Sequence, residues 1–387
     1  MRIAFLCKRR YMGKDVVLDR YGRLYEIPRQ LAERGHDVLG LCLSYHGDDE
    51  GQWRHDTARG SLRWISRSLG SSRILSLPRL LGHARWTLRR LQAFAPDYVI
   101  GASDIAHVAL GAHCAARLRV RYAADLYDNF ESFGMARIPG MKGALRRAVR
   151  DADLVSCTSE ALAAHVRQEY AARGRVMSLP STVDRGIFQP ADRVRSRLAL
   201  GLPIDALLVG TAGHLSAVRG ISTLYEGFRQ VATTLPQLHL VLAGPADPDH
   251  PPPKDDGVHY LGQLDHARVA TLFAALDLGV IYLRDTPFGR YCFPQKAYEM
   301  AACGLPFIAA DVGVMPSLLS AHPDHLYAAD DASSLARALR HVLQHPAPPL
   351  RVAQDWTELV ATLDEALAQH GPSGARLNTQ ERTAGLR

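Results

Sequence analysis

Phe293-Pro294-Gln295-Lys296-Ala297-Tyr298-Glu299-Met300-Ala301-Ala302-Cys303-Gly304-Leu305-Pro306-Phe307-Ile308-Ala309-Ala310 is the stretch whose reading decides the fold. It describes a helix that stops and runs into a strand. Pro294 suits the first turn of a helix, where an absent N–H costs nothing. Gly304 ends the helix and Pro306 prevents it from continuing. Phe307–Ala310 is a short apolar run bounded by these breakers, and it reads as a strand. Lys296 and Glu299 lie one turn apart and share a helical face. A carboxylate in that place can accept both hydroxyls of a ribose, and a lysine in the first turn can meet phosphate or sugar oxygens. The plainer alternative is a surface salt bridge on an amphipathic helix.

The same alternation continues in both directions. Toward the N-terminus lie strands at Leu278–Tyr282, His259–Gly262, Leu238–Gly244 and Leu207–Thr211, with a helix at Ile221–Thr233 after the last of these. A separate series opens the chain. Its strands are Arg2–Leu6, Asp37–Cys42, Tyr98–Gly101, Arg121–Leu126, Leu154–Cys157 and Val176–Pro180, with helices at Leu24–Arg34, Ala106–Ala116 and Gly143–Arg150. Strand and helix in strict alternation predict α/β architecture with parallel sheets, here two Rossmann-like doubly wound domains. Ligands of such folds bind at the carboxyl ends of the strands, in this case across a cleft between the domains. The boundary is expected near Pro190. Residues 1–190 form the first domain and 191–352 the second; 353–370 form a last helix, about Asp355–Gln369. The polar tail 371–387 is expected to be disordered.

Composition narrows the function. A chain of 387 residues with 47% hydrophobic content has room for two cores, and its apolar runs are too short for a membrane helix. The opening Met1–Leu6 is interrupted too soon by Lys8-Arg9-Arg10 to serve as a signal peptide. Six scattered cysteines form no C-x-x-C pair, which speaks against zinc and for reduced thiols in a cytoplasmic protein. A net charge of +7 is modest for this length and gives no reason to expect nucleic acid. Its distribution is uneven. From Thr57 to Pro96 there is no acid, while Arg59, Arg63, Arg67, Arg73, Arg79, Arg85, Arg89 and Arg90 fall there. Ile74, Leu77, Leu80, Leu81, Ala84, Leu88 and Leu91 have the spacing of one helical face within that stretch. They either pack on a sheet, with a solvated basic face beside them, or they and the arginines meet an anionic membrane surface.

Other candidates for chemistry sit after strands. Gly213-His214-Leu215-Ser216-Ala217-Val218-Arg219-Gly220 follows the first strand of the second series. Its glycines let backbone approach a ligand, and Arg219 beside a helix start could converge with the helix dipole on phosphate. In the first series Asp125-Leu126-Tyr127-Asp128-Asn129-Phe130-Glu131 follows a strand, with Ser103-Asp104 a second candidate pair. A loop aspartate is equally apt as a helix cap. Asp247-Pro248-Asp249 has the letters of a metal motif but lies among prolines in a surface loop. No G-x-G-x-x-G follows either opening strand, so a nicotinamide enzyme is not expected.

Pro294-x-Lys296-x-x-Glu299-x-x-Ala302-x-Gly304-x-Pro306, followed by Ala310-Asp311-Val312-Gly313, resembles the donor-binding helix of family 4 glycosyltransferases, which have the GT-B fold. Gly213–Gly220 resembles that family's diphosphate loop. Leu179-Pro180-Ser181-Thr182-Val183-Asp184 through Phe188-Gln189-Pro190 resembles its interdomain segment, and Ala152-Asp153-Leu154-Val155 through Ser159-Glu160-Ala161-Leu162 its strand and helix before it. Asp355-Trp356 resembles the start of a last helix that crosses back to the first domain. The resemblance implies a hexosyltransferase that moves a sugar from a nucleotide-sugar donor, held by the second domain, to a glycan, lipid-linked or small-molecule acceptor on the first, with retention of configuration. It assigns donor binding to Gly22, Gly213, His214, Arg219, Gly262, Phe293, Pro294, Lys296 and Glu299, and chemistry to Tyr127, Asp128, Arg219 and Lys296. No cofactor and no divalent metal are expected. The partners are the donor, the acceptor and an anionic membrane surface, with the protein peripheral on the inner face of the membrane in polysaccharide biosynthesis. His214 stands where the family has arginine and Arg219 where it has lysine. The family often carries a second glutamate eight residues before Glu299; Tyr291 is there, or Asp285 or Thr286 in another alignment. These departures leave the donor sugar open, and they motivate a second reading as an inactive GT-B partner protein that binds sugar nucleotide or glycan.

Overall fold

The computed structural model describes residues 1–369 except 12, 46, 48, 49, 71, 72, 347, 349 and 351–353, and it describes no side chains for 73–78. The tail expected to be disordered lies outside the described residues. The chain divides into two compact units, Met1–Ser181 with the segment from Trp356, and Thr182–Asp355.

The first unit is built on strands β1 (Arg2–Lys8), β2 (Arg10–Tyr11), β3 (Lys14–Asp15), β4 (Asp37–Ser44), β5 (Gly51–His55), β6 (Ser61–Ser68), β7 (Tyr98–Ala102), β8 (Arg121–Leu126), β9 (Leu154–Cys157) and β10 (Arg175–Ser178). Its helices are α1 (Gly22–Glu33), α2 (Arg73–Phe94), α3 (Ile105–Leu118), α4 (Met141–Arg150) and α5 (Glu160–Glu169). The main sheet has the order β10-β9-β8-β7-β1-β4-β6-β5, parallel except for β5, and β2 and β3 form a small separate hairpin. The order turns back on itself between β1 and β7, which makes their carboxyl ends the topological switch point. Ile3 through Cys7 on β1 are all buried, as expected of a strand with helices on both faces. Asp104 starts α3 by accepting from the His107 N–H, and Ser159 starts α5 in the same way at Leu162.

The second unit contains α6 (Arg193–Leu200), β11 (Leu207–Ala212), α7 (Ile221–Ala232), β12 (Leu238–Ala243), β13 (Val258–Tyr260), α8 (His266–Ala275), β14 (Leu278–Ile281), α9 (Pro287–Tyr291), α10 (Gln295–Ala302), β15 (Phe307–Ala310), α11 (Met315–Leu318), β16 (Leu326–Tyr327) and α12 (Ala332–Gln344). Its parallel sheet runs β13-β12-β11-β14-β15-β16, with its switch point between β11 and β14. A final helix, α13 (Trp356–Ala368), returns to the first unit. It adds Trp356, Leu359, Val360, Leu363, Ala366 and Leu367 to that unit's core, and Asp364 pairs with Arg34 and His36.

The structure adjusts the sequence reading in three places. The break between units falls at Ser181/Thr182, not near Pro190, because Val183 and Phe188 are already core residues of the second unit. The acid-free stretch also holds a strand without a counterpart in the sequence reading: β6 occupies Ser61–Ser68, paired with β5. The buried face of α2 is also different. His83, Thr87, Leu91 and Phe94 point inward, whereas Leu80 and Leu81 are 48% and 76% exposed and Ala84 is exposed. Of the apolar set, Leu91 is on the buried face, which it shares with a histidine and a threonine. The side chains of Arg73, Ile74 and Leu77 lie outside the described residues.

Candidate functional site

In the second unit the predicted donor residues gather at the ends of β11 and β14. The decisive helix is α10, half a turn shorter than its sequence suggested, with Pro294 in the cap position before it. It closes with Gly304 at φ 74°, whose N–H bonds to the Ala301 carbonyl while Leu305 N–H reaches Met300. This paired closure needs a residue tolerant of left-handed backbone. Its first turn aims Lys296 at the loop after β11. A Cβ added to Gly213, which has φ 115°, would lie 2.7 Å from Lys296 Cε and 3.0 Å from Nζ. Glycine is therefore required there twice, for its backbone and for the lysine's space. Gly244, at the end of β12, is held equally tightly: a Cβ would meet the Gly213 carbonyl, and its N–H donates to the Gly262 carbonyl at 2.6 Å.

The Lys296 ammonium sits 5.0 Å from the Tyr282 ring centre, and the Tyr282 hydroxyl donates to the His214 carbonyl at 2.9 Å. Burial, then the nearby Arg219 charge, lowers the Lys296 pKa to about 8, against the opposing pull of Glu299. Glu299 is 8% exposed. Burial raises its pKa to about 7, although Lys296 and a hydrogen bond from Gln295 both favour the carboxylate. Arg219 ends a short 3-10 turn before Gly220 and stacks its guanidinium 5.2 Å from the Phe288 ring centre. The His214 side chain is exposed, so its backbone carbonyl is the part fixed in place. Phe293 is half-buried against Tyr298, with ring centres 4.6 Å apart. Of the three alternatives for a second acid, Thr286 caps α9 through Gly289 N–H, Asp285 pairs with Arg290 at 2.5 Å, and Tyr291 is half-buried at the end of α9.

The first unit presents a cavity of about 360 Å³ at its own switch point. Lys8 ends β1, Tyr45 follows β4, Ser103 follows β7 and Tyr127 follows β8; all four line it, with Asp104, Phe130 and Phe133. The Lys8 ammonium donates to the Tyr127 hydroxyl at 2.8 Å. Ser103 adopts φ 79°, and Asp104 N–H bonds back to the Ala102 carbonyl, a three-residue turn that strains any residue but glycine. Burial lowers the Lys8 pKa from its ordinary value, while Asp104, Cys7 and Asp128 act against that shift. Burial raises that of Tyr127, with the Tyr11 phenol and nearby acids adding to it.

Tyr127 thus lines the cavity, and Asp128 accepts from Asn129 N–H at 2.8 Å. The second candidate pair, Ser103-Asp104, lines the cavity instead. Gly22 starts α1 with φ 66° in the first unit. Sequence reasoning missed Lys8 and Tyr45. Lys8 had a signal, being the only lysine at the carboxyl end of an apolar strand that opens a doubly wound sheet. Among the described residues, no group of three His, Cys, Asp or Glu side chains could hold a metal ion. The Asp247-Pro248-Asp249 segment is a turn in which Asp247 accepts from Asp249 N–H at 3.3 Å.

Two family descriptions match in succession, "Glycosyl transferase 4-like domain" over residues 23–182 and "Glycosyl transferases group 1" over residues 206–345. D-inositol 3-phosphate glycosyltransferase of Segniliparus rotundus is 28% identical over 182 residues, which is 43% of this chain and 39% of that protein. Its counterpart in Mycobacterium tuberculosis is 30% identical over 180 residues, 43% of this chain and 36% of that protein. The matched stretch is therefore well under half the length of either relative. Among solved structures, sucrose-phosphate synthase from Thermosynechococcus elongatus superposes with a TM-score of 0.68 at 20% identity, covering 96% of this chain and 97% of that one. Anabaena HepE in complex with UDP-glucose gives 0.66 at 18% identity, covering 96% and 99%. These two share the fold. With both halves matched in order and two parallel-sheet units of GT-B type, the chain belongs to the family 4 glycosyltransferases.

Proposed function

We propose that this protein transfers a hexosyl group from a nucleoside-diphosphate sugar to an acceptor hydroxyl, with retention of anomeric configuration. The observation that carries the reading is the Lys296–Glu299 pair on α10, with the lysine lodged against Gly213. Glu299 accepts the ribose hydroxyls. Lys296 and Arg219 offset the negative charge that grows on the diphosphate as the bond from its oxygen to the anomeric carbon breaks. The acceptor oxygen bonds to that carbon on the same face, and its proton passes to the leaving phosphate. No pair of carboxylates of the kind used by retaining glycosidases is assigned this task. The acceptor is a glycan, a lipid-linked saccharide or a small molecule, and it enters through the first unit. The names of the relatives, each a transferase of sugars, support this reading.

A thermal-shift panel of nucleoside diphosphates and nucleotide sugars tests it. A true donor at about 100 times its Kd stabilises the protein by about 2.7 kcal/mol. No stabilisation by any member would refute the donor site, and an inverted anomer in the product, read by NMR coupling constants, would refute retention. Turnover is expected to be unchanged by EDTA, because charge on the diphosphate is met by cationic side chains. Loss of activity that added Mn²⁺ restores would overturn that expectation.

We also propose peripheral, cytoplasmic-face contact with an anionic leaflet. Leu80 and Leu81 are exposed on α2 beside exposed Arg85 and Arg89, which supports it. No described helix is long and apolar enough to cross a membrane.

A further inference from the structure

The polar groups lining the cavity of the first unit are unequally satisfied. Asp104 is its one acidic lining residue, and both oxygens of its carboxylate already accept hydrogen bonds. One oxygen accepts from the Tyr45 hydroxyl at 3.0 Å; the other takes the His107 backbone N–H at 2.9 Å and lies 2.8 Å from His107 Nδ1. That leaves little of the one carboxylate free to receive the hydroxyl donors of a neutral sugar. Lys8 is in the opposite condition. Its ammonium has three protons. One goes to the Tyr127 hydroxyl, and its other contacts are the faces of the Tyr11 and Tyr127 rings at 5.7 and 5.4 Å. None of these carries a negative charge; Asp104 and Asp128 act on the ammonium through space without forming an ion pair with it, so two of its protons are still to be received. Arg10, also at the lining, is paired with Asp15 at 3.9 Å. The remaining walls include Tyr45, Tyr127, Phe130 and Phe133, faces on which the C–H side of a sugar or cyclitol ring can lie.

We propose that this cavity is the acceptor subsite for an anionic acceptor, a sugar-like ring bearing a phosphate or carboxylate that Lys8 holds while the ring lies against the aromatic walls. The proposal rests on the reading of the chain as a glycosyltransferase whose acceptor enters through the first unit. Lys8 selects the acceptor by its charge, and Tyr127 fixes the direction of the Lys8 ammonium.

The test is calorimetric titration of the full chain with glucose 6-phosphate, glucuronate and glucose, each with and without saturating UDP. The expected result is binding of at least one anionic probe and no detectable binding of glucose. Lys8→Met weakens the anionic probe by about tenfold or more, as loss of a charged hydrogen bond implies, and Lys8→Arg restores most of it. UDP binding is the same in all three proteins, which also reports that the variants fold. Glucose binding as tightly as glucose 6-phosphate, equal affinity of the Lys8→Met variant for the anionic probe, or no binding of either anion would overturn the proposal. Failure of UDP to bind would show only that uridine is not the donor base, and the arms without UDP would still decide this proposal. The phosphate and carboxylate probes distinguish the two anions.

Discussion

Each unit keeps a pair of opposite charges away from water, and the two pairs are finished to different degrees. In the first unit Arg23 and Asp125 are almost completely buried. The guanidinium meets the carboxylate at 2.5–3.1 Å through Nε and Nη2, its Nη1 donates to the Leu179 carbonyl, and the Ser156 hydroxyl adds a bond of 2.6 Å to Asp125. Every charge there is answered by the protein itself. In the second unit Lys296 and Glu299 sit one turn apart, with the lysine pKa lowered to about 8 and the glutamate raised to about 7. Burial is the leading cause of both shifts, so neither group is adequately compensated by the other. A completed pair holds a fold together; an uncompleted one has a ligand's charges and hydroxyls still to receive.

Breaking the completed pair has the largest expected effect. Arg23→Met leaves Asp125 as a buried, uncompensated charge and lowers the stability of the first unit by about 3–5 kcal/mol. Asp125→Leu in the same chain recovers part of that loss. All four tryptophans, Trp53, Trp64, Trp86 and Trp356, belong to this unit, so their fluorescence during urea unfolding reports it alone. A single variant as stable as the parent would show that the pair contributes nothing. The uncompleted pair is broken by Lys296→Ala, which leaves the fold intact and lowers turnover about 10²–10³-fold, the range for removing one preorganised donor from a developing negative charge. Turnover within a few-fold of the parent would return Lys296 to an ordinary surface lysine.

A smaller effect is the pH response of Glu299. Its folded pKa of about 7 exceeds the ordinary value of 4.5, so its favourable contribution is complete below pH 4.5 and is lost as pH rises to about 7. Lys296 acts in the opposite window. The folded chain releases its proton near pH 8 and the unfolded chain near 10.5, so stability is regained between them. Glu299→Gln removes the acid-side slope, worth up to about 3 kcal/mol. It also weakens nucleoside diphosphate binding by about 1.5–3 kcal/mol and flattens the rise in affinity through pH 7. Calorimetry from pH 5 to 8 checks both, and an unchanged slope in the variant would show that another group titrates. The smallest effect concerns neither pair. Neutralising Arg85 or Arg89 reduces binding to anionic vesicles by about 1 kcal/mol each at low salt. Co-sedimentation with neutral vesicles equal to that with anionic ones would show that α2 has another use.

The sheets were legible in the sequence because their strands are short apolar runs between breakers, and β1, β8, β9 and β15 lie within two residues of their expected ends. The Lys296–Glu299 helix was legible because helix spacing, a terminal glycine and a following proline agree. What was not legible depended on partners distant in sequence. Asp128 and Asp104 are both aspartates just past a strand, and only the contacts of each reveal that Asp104 lines a cavity while Asp128 receives a backbone N–H. Lys8 gained its meaning from Tyr127, 119 residues away. The inward His83 and Thr87 of α2 lay outside a hydrophobic count, which has no means of placing a tolerated polar group.

The return of α13 to the first unit also sets the order in which the protein can be completed during synthesis. The second unit is a continuous piece, so it has all its strands and helices as soon as Asp355 has left the ribosome. The first unit, although translated earlier, still lacks the apolar side of α13, from Trp356 to Leu367, and exposes the surface that those side chains cover. The earlier half is therefore the later one to be finished, and it has that surface open to chaperones and to other nascent chains until its last turn is made.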